Sequence, residues 1–178
     1  MSEINPKDID KAIEKNFPRK RDDCSGFVRE VSKSLNISIP GVNLQADGMV
    51  LEMIKKAKIE MLKTYPSMLE CTGPQKMKNA AKNAKSGHLV IAGMTMAELN
   101  AALKKYNITR KQGEYKNGHL AIVTGINKPG TRPIGSWGTL GGSGCRQGKL
   151  SNSFPWRAVA AGDVHYFVFF RKKVKLVA

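Results

Sequence analysis

The sequence predicts an α+β fold in which N-terminal helices pack on one side of an antiparallel β-sheet, and the order of its apolar patterns carries that prediction. Up to Leu62 the apolar residues recur with helical spacing. From Leu89 onward short continuous apolar runs take over, at Leu89–Ala92, Leu120–Thr124 and Val164–Arg171, with one further helical segment between the first two. Helices first and strands later are the arrangement of a segregated α+β domain. The 178 residues suffice for one domain with a real core and leave little room for a second. No internal repeat is present.

The elements follow in order. Residues 7–16 carry Ile9, Ala12 and Ile13 at helical spacing and stop before Phe17-Pro18 and the basic cluster Arg19, Lys20, Arg21. Residues 1–21 are therefore expected to be a leader helix and basic linker. Asp22 and Asp23 precede Cys24-Ser25-Gly26-Phe27-Val28, and Phe27, Val28, Val31 and Leu35 form the buried stripe of a second helix with Cys24 in its first turn. Residues 37–40 connect, and 49–62 form a third helix through Met49, Met53, Ile54, Ala57 and Met61. Residues 63–86 are polar and Lys-rich around Gly73-Pro74, expected as loop and a short helix. Leu89–Ala92 is a strand, 96–106 a helix headed by Thr95, and Leu120–Thr124 a strand closed by Asn127, Pro129 and Gly130. Residues 132–137 suit a third strand, and the glycine-rich 138–148 a loop. Residues 22–170 form the core and 171–178 a basic tail.

Thirty Lys and Arg against fourteen Asp and Glu leave a net charge of +16. That excess selects a polyanionic partner, whether nucleic acid, an acidic membrane face, anionic cell-wall polymer or an acidic protein inhibitor, and is silent on fold. Residues 99–178 hold fourteen of the cations against only Glu114 and Asp163, so the C-terminal half faces the anion. The apolar runs are far shorter than a membrane span, and no membrane insertion is expected. The first seventeen residues show neither an apolar h-region nor a small-residue cleavage site. The expectation is synthesis in the cytoplasm without a signal peptide and export by a signal-independent route. Three cysteines, Cys24, Cys71 and Cys145, are too few for a disulfide scaffold, and their odd number leaves one thiol unpaired.

A nucleophilic cysteine needs a base nearby and a lowered thiol pKa, and the N–H groups at a helix N-terminus favour the thiolate. Cys24 stands at such a position, with Asp22 or Asp23 as cap and the amide of Ser25 available to a developing oxyanion. The alternative for a lone cysteine is a small buried residue at a helix start. Three histidines are candidate bases. His88 and His119 each stand in Gly-His-Leu at the head of a strand, while His165 lies inside one and reads as structural. A cysteine at a helix start with a histidine at a later strand start is the arrangement of a papain-like thiol hydrolase.

Asp23-Cys24-Ser25-Gly26-Phe27-Val28 resembles the nucleophile motif of NlpC-type cell-wall peptidases, and Gly118-His119-Leu120-Ala121-Ile122-Val123 resembles their histidine strand. The further run of Gly87–Gly93, Asn117–His119, Ser136-Trp137-Gly138-Thr139-Leu140-Gly141-Gly142 and Val164–Phe167 is similar to amidase effectors delivered by type VI secretion. The resemblance selects His119 over His88. It implies an NlpC-type papain-like fold and a peptidoglycan amidase that cuts an amide in the stem peptide or cross-link of Gram-negative cell wall. Cys24 is then the nucleophile, His119 the general base, and no metal or organic cofactor takes part. Ser25, Ser136, Trp137 and Gly138 are expected to hold the oxyanion or wall the substrate groove. The implied partners are the stem peptide, an acidic immunity protein and the secretion apparatus, with action in the periplasm of the target cell and no role for nucleic acid.

One departure stands out. Many NlpC-type enzymes orient the histidine with a His, Asn or Gln on the following strand, whereas here that strand offers Thr131, Arg132 and Ser136, so the third position is open. A disulfide between Cys71 and Cys145 would leave Cys24 free; two separate thiols is the other option. Two competing functions remain: a basic nucleic-acid-binding domain, favoured by charge alone, and a Cys/His acyltransferase or deamidase acting on a protein.

Overall fold

The computed structural model describes residues 5–20, 22–63, 66–126, 133–139 and 144–170. Its order is α1 (Pro6–Lys20), α2 (Cys24–Ser34), α3 (Ala46–Glu60), β1 (Met68–Glu70), α4 (Lys76–Lys85), β2 (Leu89–Met94), α5 (Met96–Lys105), β3 (His119–Ile126), β4 (Pro133–Trp137), β5 (Cys145–Lys149), a single 3-10 turn (Leu150–Asn152), α6 (Trp156–Ala161) and β6 (His165–Phe169). The α+β class is as expected. The strands form one six-stranded antiparallel sheet in the order β1-β6-β2-β3-β4-β5.

The helices do not all lie on one side, as the sequence had suggested. Alternation along the central strands sends side chains to two faces, and both are apolar. Leu89, Ile91, Leu120, Ile122, Phe167 and Phe169 meet α1, α2 and α3 in one core. Val90, Ala92, Ala121, Val123, Tyr166 and Val168 meet α4, α5 and α6 in another. A sheet buried on both faces reads as continuous apolar runs rather than alternation, and the completely buried strand β2 is such a run. The first helix belongs to this body: Ile9, Ala12 and Ile13 are buried in the first core.

Three elements had no apolar signature to announce them. β1 is three residues long, β5 is the polar edge strand Cys145–Lys149 inside the expected loop, and α6 has only six residues. The turn residues Asn127, Pro129 and Gly130 and the tail 171–178 lie outside the described residues. No helix among the described residues is long and apolar enough to cross a membrane.

Candidate active site

The start of α2 is built around Asp23. Its Oδ1 accepts the Gly26 N–H at 2.8 Å and the Ser25 hydroxyl at 2.9 Å, closing the helix N-terminus from outside. The folded-over carboxylate explains the glycine, since a Cβ at Gly26 would lie 2.2 Å from Asp23 Oδ2. Cys24, the first helical residue, is buried in the first core beside Leu120. Burial pushes its thiol pKa up. The Leu120 N–H opposes this, the Asp23 charge adds to it, and the N–H groups of Ser25 and Cys24 itself oppose it; the outcome is a raised value. At neutral pH the group is therefore a thiol, with three main-chain N–H groups directed toward the sulfur.

That contact with Leu120 brings Cys24 to the residue after His119. Gly118 leads into the strand, its N–H donated to Asp47 Oδ2 at 2.5 Å, while Asp47 Oδ1 accepts the Met96 N–H at 2.7 Å. One carboxylate on α3 thus pins the heads of β3 and α5. A Cβ at Gly118 would come within 2.9 Å of the Met94 carbonyl and 3.0 Å of the Asp47 amide, so the glycine before the histidine is a close-packing requirement. The His119 ring follows the alternation of Ala121 and Val123 and lies edge-on to Phe154 of the second core, centroids 5.2 Å apart. Its Nε2 meets Ser153 Oγ at 2.5 Å. Burial alone pushes the imidazole pKa down to about 4, so it is neutral at pH 7.

Cys24 and His119 approach the first residues of β3 from opposite faces of the sheet. Among the described residues no hydrogen bond joins the two side chains, and none is made by His119 Nδ1. Register separates His88 from this corner, whereas His165 pairs with Gly93, the partner of Leu120, and so lies at the same end of the sheet two strands away. His88 precedes β2, whose far end pairs Met94 with His119, so the length of β2, roughly 20 Å, lies between the two. The His88 ring packs edge-on to Phe170, and its Nδ1 is buried without a partner. His165 is clamped between Glu70 at 2.6 Å and Glu98 at 2.9 Å.

The remaining sequence candidates are engaged within the protein. The Ser25 hydroxyl goes to Asp23. Ser136 donates its hydroxyl to the Arg146 carbonyl and lines a cleft of about 200 Å³ with Asp10, Glu14 and Arg146. Trp137 is buried in the second core. At Gly138 the space of a Cβ is taken by the Lys20 and Asp23 carbonyls, 2.5 and 2.7 Å away, so the backbone that approaches closely there belongs to the entry into α2. A cavity of about 490 Å³ lies at the other end of α2 against Ile37, Pro40, Met68 and Phe169. It is remote from Cys24.

The chain matches no family model and no curated protein.

Cys71 follows β1 and Cys145 begins β5, the two outer strands of the sheet. Five strand spacings, roughly 24 Å, separate those edges, whereas a disulfide needs Cα atoms within about 7 Å. The bond between them that the cysteine count had allowed is thereby excluded within one chain, and all three cysteines are free. Among the described residues no cluster of three or more His, Cys, Asp and Glu side chains is arranged to hold a metal. Two contributors to the corner escaped sequence reasoning. Asp47 had a weak signal as an acid in the first turn of a helix, and Ser153 had none, because its place depends on the 3-10 turn folding back beneath β3.

Proposed function

We propose that the chain is a papain-like cysteine amidase of NlpC type that hydrolyses an amide in the stem peptide or cross-link of peptidoglycan. The observation that carries this reading is the Cys24 thiol at a capped helix N-terminus, receiving the main-chain N–H of the residue next to a neutral, part-buried histidine. In this reading Cys24 passes its proton to His119 Nδ1 as the sulfur attacks the amide carbonyl, and the N–H groups around the sulfur stabilise the oxyanion. The C–N bond then breaks, the leaving amine takes the proton from His119, and an acyl-enzyme thioester remains. Water, giving a proton to the same nitrogen, attacks the thioester and releases the acid and the thiol. This reading requires Cys24 Sγ and His119 Nδ1 to come within hydrogen-bond reach of one another when substrate is bound.

The charge of +16 supports an anionic polymer as substrate and an acidic immunity protein as inhibitor. Delivery by injection into the periplasm of a target cell belongs to the same proposal. Digestion of purified sacculi, with mass spectrometry of the released muropeptides, tests it. The wild type is expected to release fragments cut at one amide, and Cys24→Ala and His119→Ala to release none. Intact sacculi after wild-type treatment would reject the substrate; full activity in Cys24→Ala would reject the mechanism. His88→Ala is expected to retain activity.

A further inference from the structure

We infer that Ser153 is the positioning residue of His119, accepting its Nε2–H and so keeping the lone pair on Nδ1. The role rests on the Cys/His reading proposed above, but the geometry beneath it does not. Ser153 Oγ lies 2.5 Å from His119 Nε2, and the nitrogen that bonds a fixed partner decides which tautomer an imidazole adopts. A hydroxyl can donate or accept. Only the accepting arrangement leaves Nδ1 unprotonated and able to take a proton.

The support is rigid. The Leu150 carbonyl accepts the N–H groups of both Ser153 and Phe154 at 2.9 Å. Leu150 and Phe154 are buried in the second core, and Phe154 lies edge-on to the imidazole that Ser153 holds. Consecutive residues of one turn therefore fix both the plane and the polar edge of the ring. On the strand after β3 the described polar side chain is Ser136, whose hydroxyl is committed to Arg146. Asp47 is committed to the Gly118 and Met96 amides. Among the described residues the hydrogen-bond partner of the ring is the neutral Ser153 hydroxyl, with no ion pair to the imidazole. Among the described residues no hydrogen bond joins Ser153 to Cys24, and Ser153 acts through the histidine.

Long-range proton–nitrogen correlation spectra of the full chain labelled with 15N-histidine test the assignment at pH 7. The wild type is expected to show His119 protonated at Nε2, Ser153→Ala a mixture of tautomers, and Ser153→Thr a return to the wild-type pattern. Wild-type His119 protonated at Nδ1 would overturn the inference even if Ser153→Ala failed to fold. So would an unchanged tautomer in a folded Ser153→Ala. On soluble muropeptides kcat is expected to fall about tenfold or more in Ser153→Ala with KM little changed, and Thr to restore it; unchanged kcat would overturn the catalytic part of the role. A wild type without activity but with a Ser153-dependent tautomer would sink the amidase reading and leave the assignment of Ser153 standing.

Discussion

At the scale of single residues, the candidate pair rests as neutral thiol and neutral imidazole. Burial raises Cys24 above its ordinary value and lowers His119 to about 4, so each group resists the charge that a preformed ion pair would demand. This sets the pH dependence. His119 accepts a proton in free solution near pH 6.5, but in the folded chain only near pH 4. The acid limb of kcat/KM on soluble muropeptides is therefore expected well below pH 6, and a limb at 6.5 or above would contradict the desolvation of the ring. Iodoacetamide should alkylate Cys24 slowly at pH 7, with the rate still climbing beyond pH 9. Much of this pair was legible in advance, because Asp23-Cys24-Ser25-Gly26 and Gly118-His119 each encode their own local geometry. Choosing His119 over His88 needed either the resemblance or the strand register, since both histidines head similar runs.

At the scale of elements, short connections do the positioning. The C-terminus of α3 is tied to the approach to β1 by Glu60, a buried carboxylate that accepts the Ser67 N–H at 2.6 Å and its hydroxyl at 3.0 Å while pairing with Lys56 and Lys63. Those partners hold its pKa at about 2. Asp47 does the same work at the helix N-terminus, beside Gly118. Gly118→Ala would thrust a methyl group onto the Met94 carbonyl and shift the head of β3. Denaturant unfolding is expected to show a loss of about 1–3 kcal/mol, and Cys24-dependent activity should fall further than that loss accounts for. A substitution as stable as wild type would mean that the corner yields. Long periodic elements such as α2, α3, β2 and β3 were readable from apolar spacing. β1, β5 and α6 were not, because strands at a sheet edge and six-residue helices owe their conformation to neighbours rather than to a pattern of their own.

For the whole molecule, the sheet is stitched near the end that holds Cys24 and His119 by His165. Burial alone would lower its pKa, but hydrogen bonds and charges from Glu70 on β1 and Glu98 on α5 outweigh that and raise it to about 9. The protonated ring thus joins β6 to its neighbouring strand and to the helix over the second core. Its folded pKa lies above the unfolded value near 6.5, so the stabilisation is complete below pH 6.5 and lost as pH rises through 9. His165→Gln is expected to lower unfolding free energy on the order of 2 kcal/mol at pH 6 and by much less at pH 10. An equal penalty at both pH values would assign the loss to packing. The two-faced burial of the sheet was the global feature that sequence reading missed: the same apolar runs serve a sheet covered on one side or on both, and only the alternation seen in three dimensions separates the cases.

The antiparallel register has one more consequence. His119 and Cys24 occupy one end of the sheet, while β6 delivers the chain out at Phe170 beside His88, at the other. Under the proposed function, a bulky group joined after Phe170 and a protein inhibitor seated over Cys24 would occupy opposite poles and would not exclude one another.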